Sequence, residues 1–131
     1  MISLILAAGK GTRMKSEKSK VVHEVNGVPM VKMVSKLLKN AGIEKSIYIL
    51  GHRMEEVLNT IGEVEYVEQV EKLGTGHAVL IAKEKIEENK DDVLITYGDT
   101  PLLREEIINR MKEKLHNENL DCIILSCNMK D

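Results

Sequence analysis

The chain has 131 residues, the length of one domain, and its 43% apolar and 31% charged residues are typical of a globular protein. Nineteen basic and 21 acidic side chains give a formal net charge of −2, which argues against a protein built to coat nucleic acid or an anionic membrane. No apolar run in the sequence approaches the roughly 20 residues of a membrane-spanning helix, and the N-terminus lacks the basic lead of a secretory signal. We therefore expect a cytoplasmic protein whose partners include neither nucleic acid nor a membrane.

Short apolar runs alternate along the chain with apolar stripes at helical spacing. The predicted elements, in chain order, are a strand at 2–8, a helix from 29 to 41, a strand at 46–50, a helix at 54–61, a strand at 64–67, a helix from 75 to about 87, a strand at 93–97, a helix after 104 and a strand at 122–127. An unbroken apolar run such as 2–8, closed by Gly9, is typical of a strand buried on both faces. The alternation predicts an α/β fold with a mostly parallel sheet and helices on both faces.

Ligands of such sheets bind at the carboxyl ends of the strands, so the segments after the strands carry the functional hypotheses. The segment after the first strand, 9–20, contains Gly9 and Gly11 and five basic residues against the single acid Glu17. The basic residues are Lys10, Arg13, Lys15, Lys18 and Lys20. Glycines let backbone N–H groups approach an anion, and the cations neutralise phosphate oxygens, so the segment indicates a polyphosphate site. The alternative is an ordinary turn with solvated lysines.

Two further segments follow the third and fourth predicted strands. Asp99, next to Gly98 at the end of a strand, is placed as Mg²⁺ ligands often are; the alternative is that it caps the helix that follows. Gln69 offers an amide that could read the edge of a nucleobase. Thr75 stands between two glycines before a helix, which suits close approach of a base or an anion, or else a capped turn.

The cysteines and histidines carry less information. Cys122 and Cys127 have no metal or redox spacing, and we expect both to be buried, reduced thiols. His23 and His77 are expected to be hydrogen-bonded structural groups rather than catalytic bases, and His116 is expected to be solvated.

Four stretches resemble a known enzyme family. Leu6–Met14 (LAAGKGTRM) is similar to the signature loop of sugar-nucleotide pyrophosphorylases. Lys20–Met30 (KVVHEVNGVPM), Gln69 with Leu73–Ala78 (LGTGHA), and Tyr97–Leu102 (YGDTPL) narrow the resemblance. Together they resemble the N-terminal uridylyltransferase domain of the bifunctional N-acetylglucosamine-1-phosphate uridyltransferase / glucosamine-1-phosphate N-acetyltransferase family.

That resemblance implies a Rossmann-like three-layer nucleotidyltransferase fold and a Mg²⁺-dependent reaction. UTP and N-acetylglucosamine 1-phosphate would yield UDP-N-acetylglucosamine, a cell-wall precursor, and pyrophosphate. Arg13 and Lys20 would be the catalytic residues, and Asp99 would be a Mg²⁺ ligand. The residues that the resemblance assigns to nucleotide binding are Leu6, Ala7, Ala8, Gly9, Lys10, Gly11, Lys20, Gln69, Gly74, Thr75, Tyr97, Gly98 and Asp99.

The family's nucleotidyltransferase domain is longer than this chain. The resemblance therefore implies that 1–131 is an incomplete N-terminal portion, without the sugar-binding residues, the second metal ligand and the acetyltransferase β-helix through which the parent protein would form a homotrimer. We expect weak or no turnover by this portion, with residual UTP binding. Three alternatives stay open: transfer to another hexose 1-phosphate, a non-catalytic UTP-binding module, and an interaction scaffold whose basic loop only aids solubility.

Overall fold

The structure is a computed structural model, and it describes residues 1–128. Within them the strands are β1 (Ile2–Leu6), β2 (Glu24–Val25), β3 (Val28–Pro29), β4 (Ser46–Leu50), β5 (Glu65–Glu68) and β6 (Val93–Tyr97). Four of them form a parallel sheet in the order β5-β4-β1-β6, while β2 and β3 form a separate antiparallel hairpin.

The helices in the same range are α1 (Met30–Asn40), α2 (Met54–Ile61), α3 (Thr75–Leu80), α4 (Lys83–Asn89) and α5 (Glu105–Asn117), with short 3₁₀ turns at Thr12–Met14 and Lys20–Val22. Within residues 1–128, none of these helices combines the length and the apolar character needed to cross a membrane. The helix predicted from 75 to about 87 is two helices in the structure, α3 and α4. They meet at Ala82, which is fully buried against the sheet, so packing of this residue accompanies a bend that the apolar pattern did not reveal.

Each face of the sheet is covered by its own helical layer. Ile5 of β1 belongs to a buried cluster with Leu38 of α1 and Ile108 of α5. Its neighbour Leu4 points to the opposite face and packs in a second cluster with Ala78 of α3. This arrangement of helices, parallel sheet and helices confirms the predicted fold class.

The strand order places a crevice at the end of β1. The chain runs from β1 to β4 and β5 on one side, and then returns to β6 on the other side of β1. In parallel sheets this reversal leaves an open crevice between two neighbouring strands at their carboxyl ends. Leu6 and Tyr97, the last residues of β1 and β6, are paired there, so the segments beginning at Ala7 and Gly98 leave the sheet side by side.

The predicted strand at 122–127 was wrong, and one hairpin was missed. Residues 122–127 form no strand in the described part of the chain, and both Cys122 and Cys127 are exposed rather than buried. Ile124 is 83% exposed. The segment therefore does not pair with β6, the edge strand of the sheet, although its composition is apolar. The hairpin of β2 and β3 was not predicted, although its Asn26-Gly27 turn, with φ of 53° and 79°, is the usual signal for one.

The core of the layer containing α1 predicts a clear stability difference. Leu38 is fully buried, whereas Leu80 of α3 is 67% exposed. Leu38→Ala should lower the free energy of unfolding by about 3 kcal/mol because it removes buried methyl groups and leaves a cavity. Leu80→Ala should change it by less than about 0.5 kcal/mol. Urea titration followed by circular dichroism measures both, and similar values for the two variants would contradict this packing.

Candidate functional site

A half-open cleft of about 390 Å³ lies at the carboxyl ends of β1 and β6. Three separate segments of the chain line it: the segment after β1, the segment between β5 and α3, and the segment after β6. The convergence that parallel-strand geometry predicts is therefore present in the structure.

The wall that follows β1 has a backbone shape that requires glycine. Ala7 N–H still donates to the Ile49 carbonyl at 2.9 Å, which extends the pairing with β4 past the end of the strand. Gly11 then adopts φ of 60°, and a Cβ at Gly11 would lie 2.7 Å from the Cβ of Lys20. Glycine at this position thus lets the loop run closely past Lys20.

Lys20 is anchored from behind by α2. The Ser19 N–H donates to Glu56 Oε2 at 2.8 Å, and Ser19 is fully buried. The Lys20 ammonium forms an ion pair with Asp99 Oδ2. The two side chains are 33% and 22% exposed, so this pair is shielded from water more than a surface pair is.

Asp99 is held by the tight packing of the turn after β6. Gly98 N–H donates to the Leu6 carbonyl at 2.9 Å, which continues the pairing with β1. A Cβ at Gly98 would lie 3.0 Å from Val21 Cγ1, so a side chain here would press on the floor of the cleft. The Thr100 hydroxyl donates to the Tyr97 carbonyl at 2.9 Å and closes the turn that presents Asp99.

Gln69 forms the third wall and is only 6% exposed. Its backbone N–H donates to the Leu50 carbonyl at 2.7 Å, so the residue extends the pairing of β4 and β5. Its side-chain Nε2 lies 3.2 Å from the Gly74 carbonyl oxygen and 3.1 Å from His77 Nδ1. The amide is thereby fixed to the segment that opens α3.

The cleft has a positive charge balance. Within residues 1–128, Arg13, Lys20 and Lys72 line it, against the single carboxylate of Asp99. Partial desolvation and the nearby positive charge of Lys10 lower the pKa of Lys72. A cleft of this charge favours a polyanion.

Most of the site residues proposed from the sequence meet in the cleft. Those that line it are Leu6, Ala7, Ala8, Gly9, Gly11, Arg13, Lys20, Gln69, Gly74, Thr75, Tyr97 and Asp99. Lys10 is exposed beside the cleft and Gly98 lies under its floor, so neither is a lining residue. Sequence reasoning missed the cleft residue Lys72, which its position as a cation next to the Gly-Thr-Gly motif could have indicated. It also missed Glu56, which anchors the backbone before Lys20 and for which the sequence contains no signal.

The histidines match their expectations in part. His77 is hydrogen-bonded to Gln69, as expected. His23 was expected to be hydrogen-bonded too, but its Nε2 is buried without a hydrogen-bond partner among residues 1–128. His116 is 62% exposed and lies 3.4 Å from a carboxylate oxygen of Asp92, which confirms that it is solvated.

Any metal ion at this site would have few protein ligands. No group of three or more His, Cys, Asp and Glu side chains in residues 1–128 is arranged to hold a metal. Asp99 is the carboxylate that lines the cleft. One carboxylate together with substrate phosphates and water is a donor set that suits Mg²⁺, so the residues fit a metal that arrives with a nucleotide.

Sequence comparison places the chain among nucleotidyltransferases. A family model described as MobA-like NTP transferase domain matches residues 3–130. The bifunctional protein GlmU of Acetivibrio thermocellus is 46% identical over 110 residues, which are 83% of this chain and 24% of that protein. The bifunctional protein GlmU of Staphylococcus haemolyticus is 42% identical over 125 residues, which are 95% of this chain and 28% of that protein. The chain thus spans about a quarter of the length of these relatives, and the likeness confirms the family resemblance of the sequence motifs.

Structural comparison agrees. A nucleotidyl transferase from Methanothermobacter has a TM-score of 0.70 at 25% identity, and the likeness covers 86% of this chain and 57% of that chain. The likeness thus shows that the chain has a nucleotidyltransferase fold over the part that is covered.

The loop after β1 allows a test with matched substitutions. Gly11→Ala should lower the free energy of unfolding by about 1–3 kcal/mol, because the left-handed backbone is strained for alanine and the new Cβ meets Lys20. Gly9→Ala places a Cβ where no atom lies within 4 Å, and it should cost less than about 0.5 kcal/mol. Thermal unfolding compares the two, and equal stability of both variants would show that the loop does not follow this path.

Proposed function

The chain belongs to the MobA-like NTP transferase domain family, and from this premise we propose that it is the nucleotide-binding portion of a uridylyltransferase. The reaction would join UTP and N-acetylglucosamine 1-phosphate to give UDP-N-acetylglucosamine and pyrophosphate. The observation that supports it most directly is the meeting of Arg13, Lys20 and Asp99 in one cleft from two distant segments of the chain.

The charges of the cleft match those of a metal-bound nucleoside triphosphate. Three cations and one carboxylate give the lining by the described residues a formal charge of +2. A nucleoside triphosphate carries about four negative charges near neutral pH, and one divalent cation reduces this to about −2. Cleft and ligand would neutralise each other, which favours this ligand over a neutral sugar or a basic peptide.

The proposed chemistry is an in-line displacement at the α-phosphorus of UTP. An oxygen of the sugar phosphate forms the new P–O bond, while the bond to the β-phosphate breaks and pyrophosphate leaves with its electron pair. Such transfers need positioning and charge neutralisation more than covalent help from the protein. Arg13 would neutralise the departing pyrophosphate with its planar fork, and Lys20 would do so as a point charge.

Asp99 is the residue proposed to hold Mg²⁺ together with the nucleotide phosphates. The bound ion would add positive charge where the transferring phosphoryl group becomes more negative. Lys20, which now neutralises Asp99, would be free to face the phosphates once another cation takes its place beside the carboxylate.

The other end of the cleft is proposed to hold the uracil and ribose. The backbone of 6–9, Gly74 and Thr75 line the cleft and bring no charged side chain of their own, and Gln69 adds one amide. An uncharged base is recognised through directed hydrogen bonds rather than through net charge, and this end of the cleft provides them.

We further propose that 1–131 is the N-terminal portion of the pyrophosphorylase domain of a longer bifunctional protein. The chain's span of about a quarter of its curated relatives supports this reading. The sugar-phosphate subsite, a second metal ligand, an acetyltransferase part and a homotrimeric, cytoplasmic parent protein all belong to the same proposal. The portion alone would bind UTP with weak or no turnover.

Removal of the arginine fork tests the phosphate site. Arg13→Ala should weaken UTP binding in the presence of Mg²⁺ by about tenfold or more, because a charge-assisted hydrogen bond to phosphate is lost. Arg110→Ala, an exposed position on α5, removes the same group away from the cleft and should leave the affinity unchanged. Isothermal titration calorimetry measures both. Unaltered affinity in Arg13→Ala would favour the interaction scaffold over a nucleotide-binding protein.

The metal role of Asp99 predicts a change in Mg²⁺ dependence. In the wild-type chain, Mg²⁺ should strengthen UTP binding, and Asp99→Asn should remove most of this gain because the amide keeps the shape but not the charge. Asp121→Asn serves as the exposed control. Titrations of UTP with Mg²⁺ and with EDTA give the comparison, and a Mg²⁺ gain that survives in Asp99→Asn would place the metal elsewhere.

A further inference from the structure

The side-chain amide of Gln69 has its nitrogen fully engaged within the protein. Nε2 lies 3.2 Å from the carbonyl oxygen of Gly74 and 3.1 Å from Nδ1 of His77. A primary amide nitrogen carries two hydrogens, so these two partners account for both. The amide oxygen Oε1 is then the polar atom that Gln69 has left for a ligand in the cleft that it lines.

The orientation of this amide follows from the chemistry of its hydrogen-bond partners. The Gly74 carbonyl is an acceptor only, so the amide atom that faces it must be the donor Nε2. The same carbonyl oxygen also accepts the Ala78 N–H at 3.2 Å, as part of the first turn of α3. Ala78 is buried against β1, so the helix and the sheet hold this acceptor in place.

The second partner determines the protonation of a histidine. Because Nε2 of Gln69 is a donor, Nδ1 of His77 must be the unprotonated acceptor, and the imidazole proton resides on its own Nε2. His77 thus adds a second bond to the orientation that the Gly74 carbonyl dictates. A turned amide would direct Oε1 at the Gly74 carbonyl and lose that bond, and it could keep a bond to His77 only if the imidazole moved its proton to Nδ1.

We propose that His77 is a positioning residue that holds Gln69 with its oxygen towards the nucleobase, and that this selects a base with a ring N–H, such as uracil, over cytosine. Uracil has a hydrogen on N3 that the amide oxygen accepts. Cytosine has an unprotonated N3, which would place one lone pair against another. The inference rests on the proposed function, because it concerns the base of the nucleotide in that cleft.

Base discrimination provides the first test. The wild-type chain should bind UTP more tightly than CTP when each is titrated with Mg²⁺. In His77→Ala the amide keeps only its bond to Gly74 and is held less firmly, so the ratio of the two affinities should fall by about five- to thirtyfold, the value of one hydrogen bond to a buried group. His77→Asn, whose side-chain oxygen is an acceptor near the position of Nδ1, should restore most of the ratio. His116→Ala, at an exposed histidine, is the control.

A ratio that is unchanged in His77→Ala would overturn the inference, and so would a loss of the ratio that His77→Asn fails to restore. A wild-type chain that binds neither nucleotide would instead overturn the proposed function. The role of His77 in base selection would then be overturned as well. The two failures are thus distinguishable, because only the second abolishes nucleotide binding by the wild type.

Nitrogen NMR provides a second test that needs no nucleotide. In the ¹⁵N-labelled wild-type chain, Nδ1 of His77 should show the shift of an unprotonated ring nitrogen and Nε2 that of a protonated one. The side-chain NH₂ signals of Gln69 should exchange slowly with water, and His77→Ala should speed that exchange while circular dichroism stays unchanged. A proton on Nδ1 in the neutral imidazole would overturn the inference.

Discussion

The cleft depends on one constraint, which is that β1 is paired with a parallel strand on each side and is buried on both faces. Its register with β4 and β6 continues past the last residue of the strand through the bonds of Ala7 N–H to Ile49 and of Gly98 N–H to Leu6. Two chain segments therefore leave the sheet at fixed positions. Groups carried by rigid strands keep their spacing better than groups carried by free loops. The residues directly after β1 and β6 therefore form a rigid floor of the cleft.

Opposite charges from distant segments stabilise each other across the cleft. Lys20 follows a loop anchored by Glu56, and Asp99 follows the edge strand β6, yet the two form a partly shielded ion pair. In the proposed reaction each of these charges exchanges its partner rather than losing it, since phosphate would replace the carboxylate and a metal ion would replace the ammonium. An exchange of this kind avoids leaving an unpaired charge in a partly desolvated site.

The two ends of the cleft differ in how tightly their residues are held. Gln69 is almost fully buried and its amide is hydrogen-bonded, whereas the loop around Arg13 is exposed. The difference suits the parts of the proposed ligand. A neutral base needs hydrogen bonds of defined direction, which a rigid amide provides. Attraction between cations and a triphosphate depends little on angle, so an exposed loop can supply it.

The sequence by itself determined the order of most elements and the segments that carry the site. The apolar run of β1 and the helical stripe of α1 could be read directly, because a strand buried on both faces is apolar throughout and a helix buried on one face has a period of 3.6. Glycines and cations after β1, and a carboxylate after β6, predicted the cleft, because the carboxyl ends of parallel strands share one edge. Residue types and their order along the chain were sufficient for this much.

Only the tertiary structure decided which groups meet. Nothing in the local pattern places Glu56 behind the loop, bends the chain at Ala82 or directs the amide of Gln69. The apolar segment 122–127 shows the limit most clearly, since it has the composition of a strand and forms none in the described residues. A strand needs hydrogen-bond partners from another part of the chain. An apolar pattern shows that residues tend to be buried, but it does not show which other residues will pack against them.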